Sequence, residues 1–326
     1  MRERMPIAAA LTAVLAGLLS MAGCTWAQGY PAKPLRLVVG FSAGSAADFT
    51  GRLLAQKLAE PLGQTVIVEN RVGAGGTIAT ERVAASAPDG YTLLMLTAPD
   101  TAQPALRAKL PYDLSRDLAP VSLVAIGAFV LVVHPSVPAR TVRELIALAR
   151  SQPGKLSYGS SGVGSSAHLA GELFNTMAGV NIVHVPYKGS PEVVVANAAG
   201  QIDVSFPSNV AALPLVQAGR LRPLAVPSAQ RSSLMPGIPT LGESGVTGYE
   251  RYSWYGLSVP TGVPKDIVAR LNAAVARAVG LPDVKEALNR QGFEPQANSP
   301  EQFAALIHRE IEQNTRLIRA IGLKAE

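Results

Sequence analysis

The stretch Leu35-Arg36-Leu37-Val38-Val39-Gly40-Phe41-Ser42-Ala43-Gly44-Ser45-Ala46-Ala47-Asp48 decides how this chain is read. Its first five residues are an apolar, strand-like run, and Phe49 to Leu58 carries apolar positions at helical spacing. Between them lies a Gly/Ser-rich turn. Such a turn at a helix start points several backbone N–H groups at one spot, where the helix dipole also favours negative charge. The pattern recurs more than a hundred residues later. Leu156 to Gly159 leads into Ser160-Ser161-Gly162-Val163-Gly164-Ser165-Ser166-Ala167-His168, and a helical run follows from Ala167 to Met177. Two such turns suggest two lobes closing on a small anion.

Between and beyond these turns, short β-rich runs alternate with longer amphipathic ones. Thr65 to Val68 and Tyr91 to Leu96 read as strands beside Leu35 to Val39, and Thr77 to Ala85 as a helix between them. This alternation argues for parallel sheets covered by helices. Val121 to Val133 is long, apolar and ends at His134-Pro135, as expected of a strand crossing from one lobe to the other. Leu221 to Val226 is the natural return. The expected class is therefore α/β, with two lobes, each a mostly parallel sheet flanked by helices, and two hinge crossings. The boundaries drawn are 28–130 plus 227–326 for the first lobe and 131–226 for the second.

The first 27 residues read as an export signal. Arg2 and Arg4 precede an uncharged apolar run from Ile7 to Ala22, too short for a convincing membrane span. A cut after Ala27 and a lipoprotein cut before Cys24 both fit, so the chain is expected in the periplasm, lipidated through Cys24 in the second case. Cys24 is the only cysteine, which leaves no internal disulfide and no thiolate metal cluster. Stability must come from the core, and 48% apolar residues permit one. Roughly 300 residues is the size at which one core divides into two. The net charge of +6 is spread singly, with no basic run, so nucleic acid is not an expected partner.

Each notable group has a plain reading beside a sharper one. Asp48 falls in a first helical turn, where it either caps free N–H groups or touches a ligand. Gly162-Val163-Gly164-Ser165-Ser166-Ala167 approximates a dinucleotide fingerprint, but the strand ending at His184-Val185-Pro186-Tyr187-Lys188 lacks the acidic residue that pattern needs. The serines near His168 raise an exported serine hydrolase as the alternative, although Gly159-Ser160-Ser161-Gly162-Val163 lacks the final glycine of a nucleophile elbow. His168 reads as a helix-start residue packing near the cleft. His134, His184 and His308 lack metal-ligand spacing, and no metal or cofactor is expected. Tyr187 and Lys188 precede a helix and either reach the cleft rim or are solvated. Tyr249, Tyr252, Trp254 and Tyr255 either form core or stack on a ligand.

These landmarks resemble the extracytoplasmic receptors of tripartite tricarboxylate transporters, the Bug receptors. The resemblance rests on Tyr30-Pro31-Ala32-Lys33-Pro34-Leu35-Arg36, Val68-Glu69-Asn70-Arg71 with Gly73-Ala74-Gly75-Gly76, and Pro88-Asp89-Gly90-Tyr91. It continues in Gly159-Ser160-Ser161-Gly162 with His168-Leu169-Ala170-Gly171-Glu172, in Val185-Pro186-Tyr187-Lys188-Gly189, in Gly219-Arg220-Leu221-Arg222 and in Trp254-Tyr255-Gly256-Leu257. It implies a type II-like periplasmic binding fold closing on a small organic acid, a membrane permease as partner, a monomeric receptor and no catalysis. The positions it implies for the ligand are Phe41, Ser42, Gly44, Ser45 and Asp48, then Thr97 and Ala98, then Ser160, Gly162, Ser165 and His168. Tyr187 and Ser208 complete the expected set. Two places depart from the family pattern: Gly44-Ser45-Ala46 stands for Gly-Gly and a hydroxyl residue, and Pro207-Ser208 for Asp-Asn.

Overall fold

The computed structural model describes residues 29–232 and 235–323. The expected export signal lies outside the described residues. In chain order the elements are β1 (Leu35–Val39), α1 (Ala46–Leu62), β2 (Val66–Asn70), α2 (Thr77–Ala84), β3 (Thr92–Thr97), α3 (Gln103–Leu106), α4 (Leu114–Asp117) and β4 (Leu118–Gly127). Next come β5 (Leu131–Val133), α5 (Val142–Ser151), β6 (Ser157–Ser160), α6 (Ser166–Ala178), β7 (Val183–Pro186), α7 (Ser190–Ala198), β8 (Val204–Ser205), α8 (Asn209–Gln217) and β9 (Arg222–Ala225). The chain ends with β10 (Ser253–Pro260), α9 (Lys265–Gly280), α10 (Pro282–Arg290), β11 (Phe293–Pro295) and α11 (Pro300–Ala320).

The strands form two mixed sheets in a two-lobed α/β arrangement. The first has the order β11-β4-β10-β3-β1-β2 and the second β7-β6-β8-β5-β9. β1 pairs in parallel with β2 and β3, and β6 in parallel with β7 and β8. β10 runs antiparallel between β3 and β4, while β5 runs antiparallel between β8 and β9. β10 is buried along its whole length, as a central strand covered on both faces must be. In β1 and β3 the alternating pleat divides the layers. Val38, Leu94 and Leu96 pack with α2 and with Phe303, Leu306 and Ile307 of α11. On the other face Gly51 of α1 meets Leu37, Val39 and Met95.

The second sheet is covered in the same way. Val142 and Leu145 of α5 and Phe174 of α6 pack with Leu131, Val133, Tyr158 and Val204 on one face. Val193 and Ala196 of α7 and Ala212 of α8 belong to clusters on the other. The apolar run Val121 to Val133 divides between the sheets, ending in β4 and resuming in β5. In between, the Val130 amide donates to the Pro207 carbonyl and the Asn209 amide to the Ala128 carbonyl. The return differs from the reading that placed it at Leu221 to Val226. β9 stays in the second sheet against β5, and the crossing comes after Val226, where the Arg251 amide donates to the Pro227 carbonyl. An apolar strand was legible there, but its partner was not.

Candidate functional site

Parallel pairing gathers loops. Val39 lies in register with Asn70 and Met95, so the chain leaves β1, β2 and β3 at one edge of the first sheet. Ser160 lies in register with Pro186, and Gly159 with Ser205, so β6, β7 and β8 likewise end together. Phe41, Ser42, Gly44, Ser45, Thr97 and Ala98 thus share one edge, and Gly162, Ser165, Tyr187 and Ser208 the other. The loop after β6 lies against α3 at Gly164, where a Cβ would stand 2.8 Å from Leu106 Cδ1.

Three helices leave these edges with serine N-caps. Ser45 Oγ accepts from the Asp48 amide in α1, Ser165 Oγ from the His168 amide in α6, and Ser208 Oγ from the Ala211 amide in α8. Each cap uses the serine as an acceptor, which leaves its O–H free to donate. The first amides of each helix also lack intrahelical partners by geometry, and the dipole favours an anion there. In α8 one of them, Asn209, is already used by Ala128. The α1 and α6 starts, at Ala46-Ala47 and Ser166-Ala167, are the better donors.

The first loop is braced from behind. Asp48 is 3% exposed and its carboxylate takes the Gly44 amide at 2.9 Å, Arg52 Nε at 3.0 Å and Asn70 Nδ2 at 2.8 Å, with Arg52 Nη2 at 2.9 Å. Burial pushes this carboxyl up, but the bonds from Arg52, Gly44 and Asn70 and the Arg52 charge outweigh it and hold it below its ordinary value. With these donors engaged, Asp48 is a brace on the loop; Ser45, not Asp48, is the cap. Asn70 Nδ2 also donates to the Phe41 carbonyl, and Gly44 turns at φ +80°. Ser42 faces solvent and its carbonyl accepts from the Ser45 amide.

Thr97 and Ala98 are buried at the start of a 3-10 turn, Ala98–Ala102. The Thr97 amide and hydroxyl both donate to Asp100, which removes that hydroxyl from the set free to meet a ligand. Burial raises the Asp100 carboxyl to about 6, against the bonds from Thr97 and Thr80.

In the second loop Ser160 is fully buried. Its Oγ donates to the Gly162 carbonyl at 3.0 Å, accepts from the Gly162 amide at 3.2 Å and lies 2.6 Å from His184 Nε2. The Gly164 amide donates to His168 Nδ1 at 3.0 Å, and the rings of His168 and His184 stack with centroids 3.9 Å apart. Burial pushes both imidazoles down to about 4, with each other's proximity adding to the shift at His168. The Tyr187 ring packs with Val193, Ala196 and Ile202 behind β6, and its amide donates to the Ser160 carbonyl.

Sequence reasoning missed Arg52, Asn70 and His184 as parts of this assembly, and it missed α8, whose sequence carries an internal Pro214. Asn70 stood inside a quoted motif; Arg52, four residues after Asp48 on the helix, had the spacing of an ion pair. Nothing local marks His184, because its partners are set by the β6–β7 register. Among the described residues no group of three or more His, Cys, Asp or Glu is placed to hold a metal ion, and no helix is long and apolar enough to cross a membrane.

The chain is similar to BugT of Bordetella pertussis, 36% identical over 300 residues that cover 91% of this chain and 92% of that one. Among solved structures, an R. palustris protein with adipate is 37% identical at a TM-score of 0.78, covering 90% of this chain and 99% of that one. MatC from Rhodopseudomonas palustris with bound malate is 32% identical at a TM-score of 0.75, covering 89% and 100%. The family described as the tripartite tricarboxylate transporter family receptor matches residues 50–323. With the family model matching residues 50–323 and relatives matching over most of the chain, this chain belongs to the tripartite tricarboxylate transporter receptor family.

Proposed function

We propose that this protein is an extracytoplasmic receptor that holds a small organic carboxylate between two lobes, 28–130 with 227–326 and 131–226, and delivers it to a membrane permease without chemistry. The observation that carries the reading is the set of serine-capped helix starts at the edges of the two sheets. Ser45 and Ser165 each keep an O–H to donate beside unpaired helix amides. Dicarboxylates bound to the R. palustris relatives support an organic acid as the ligand. Ser42, Ser45, Ser165 and Gly162 are the residues assigned to contact it; Asp48, Thr97 and His168 hold the loops that do so.

One observation favours a hydrolase: Ser160 Oγ and His184 Nε2 are 2.6 Å apart. Two others oppose it. Ser160 is fully buried, and an imidazole pushed down to about 4 is a weak base at neutral pH. A thermal-shift screen of dicarboxylates, aromatic acids and amino acids, run beside an assay of p-nitrophenyl ester turnover, separates the two. The receptor reading predicts a rise in Tm that grows with the concentration of at least one acid, by mass action, and no turnover. Ester turnover abolished by Ser160→Ala, with no stabilising acid, would overturn it.

A further inference from the structure

The cluster of Ser160, His168 and His184 beneath the second loop holds more polar order than a capped helix needs. His184 was assigned no role by its sequence position, yet β6–β7 pairing sets Tyr158 opposite it and brings its Nε2 onto Ser160. Ser160 Oγ is joined to His184 Nε2 at 2.6 Å and accepts from the Gly162 amide at 3.2 Å, so His184 holds the hydroxyl that bonds to the loop. On the other ring, a backbone amide that donates to His168 Nδ1 requires a lone pair there. The two imidazoles therefore grip the loop at two points, Gly162 through Ser160 and Gly164 directly. Both glycines have positive φ, +115° and +78°, a conformation that glycine adopts without strain.

We propose that His168 and His184 are positioning residues that clasp the second loop while both rings are neutral, and that protonating His168 opens the clasp and weakens anion capture. A proton on Nδ1 would set two N–H donors, His168 Nδ1–H and Gly164 N–H, against each other at 3.0 Å. It would also place a charge against the second ring 3.9 Å away. The displaced loop is the one that carries the Ser165 cap and abuts Leu106. The consequence for capture rests on the receptor reading; the clasp itself does not.

The carboxylate nearest along the chain on α6 is Glu172, four residues after His168. Tyr158 of β6 lies against both rings, and its hydroxyl donates to Glu172 of α6 at 2.7 Å, so the carboxylate of that helix is engaged by a phenol. Tyr249 donates to the Ala170 carbonyl, Asp203 before β8 accepts from Ser157, and Tyr187 contributes its amide to Ser160. Lys188 and Glu192 are exposed, with the Lys188 amide donating to the Glu192 carboxylate. Burial, with His184 adding at His168, sets both rings near 4 against an ordinary 6.5. A lowered imidazole value means that folding favours the neutral ring. Its contribution is complete above about 6.5 and is lost as pH falls towards 4.

Imidazole and amide nitrogen NMR on the ligand-free protein tests the clasp. The expected result is a bare His168 Nδ1 at pH 7 and a Gly164 amide resonance that moves together with His168 near pH 4. His168→Asn, whose Oδ1 can accept the same amide without titrating, should keep the pH 7 position of Gly164 and abolish the transition. A protonated Nδ1 at pH 7, or a Gly164 amide that ignores the His168 titration, overturns the proposal. Adipate affinity, read by calorimetry as the ratio of His168→Asn to the unaltered protein, tests capture and cancels the titration of adipate itself. The ratio should be near one at pH 7.5 and rise to about twofold by pH 4, where half of a ring titrating near 4 is protonated. A ratio of one at both pH values refutes the link to capture. Adipate binding to neither protein counts against adipate as the ligand, while the NMR result still decides the clasp.

Discussion

Asp48, expected either to cap a helix or to touch a ligand, has a carboxylate bonded on several sides by the protein itself. Its oxygens are occupied by Gly44, Arg52 and Asn70, and Arg52 Nη2 in turn donates to Asn70 Oδ1. Asp48→Asn removes the charge and one acceptor oxygen. The expected cost is in the lower half of about 1.5–3 kcal/mol, the range for hydrogen bonds to a charged group, because Arg52 is half exposed. Because the Asp48 carboxyl lies below its ordinary value in the fold, its contribution is present above about 3.8 and lost as pH falls. Denaturant unfolding at pH 7 and pH 3 should therefore show a difference that shrinks on acidification. Ligand affinity should fall with the loosened loop while the order of preference among acids stays the same. A changed order would return Asp48 to the ligand.

At the scale of elements, the helix behind the second loop is set by one close approach. A Cβ on Gly171 of α6 would stand 2.2 Å from the Tyr158 ring, a distance no neighbour can accept without moving. Gly171→Ala should push that ring towards His184, whose centroid is 5.0 Å away, and cost about 1–3 kcal/mol, as overpacking does. Thermal unfolding should show the loss, and the aromatic resonances of Tyr158 and His184 should shift together. An unchanged Tm would mean that α6 is loosely seated. The helix itself was legible, since Ser165, the apolar spacing and Gly179 at φ +61° mark both ends. The Tyr158 contact was not, because it joins β6 to the next helix across a layer. For the same reason the strands β1, β3 and β10 read clearly from their apolar runs, while the separation of β4 from β5 and the place of β9 depended on pairing that no local pattern encodes.

Across the whole molecule, Ala102, Leu106, Leu169, Leu317 and Ile318 form one buried cluster that joins α3, α6 and α11. A buried polar path runs beside them. Arg251, which follows the return crossing, donates to Asn314 of α11 at 2.8 Å, and Asn314 donates to Thr101, whose hydroxyl holds the Ala98 carbonyl. Glu310 stands 3.9 Å from the Arg251 guanidinium, and both side chains are almost fully buried. The 3-10 turn at the cleft edge is thereby fixed to the segment that joins the lobes, which gives the first loop set a rigid frame.

The central claim is that a carboxylate is held by dipoles and hydroxyls from both loops, with no paired arginine. Charge-assisted hydrogen bonds to an anion contribute about 1.5–3 kcal/mol each. The direct measurement is titration calorimetry of a carboxylate found in the thermal screen, and of its amide analogue, against the unaltered protein, Ser45→Ala and Ser165→Ala. Each serine variant also loses a cap worth about 1 kcal/mol of stability, so folding is checked at the same temperature. The account predicts one acid bound per chain and binding weaker by about tenfold or more for the amide and for each variant, at about 1.4 kcal/mol per decade. Equal affinity for the amide, or full affinity in both serine variants, would contradict it.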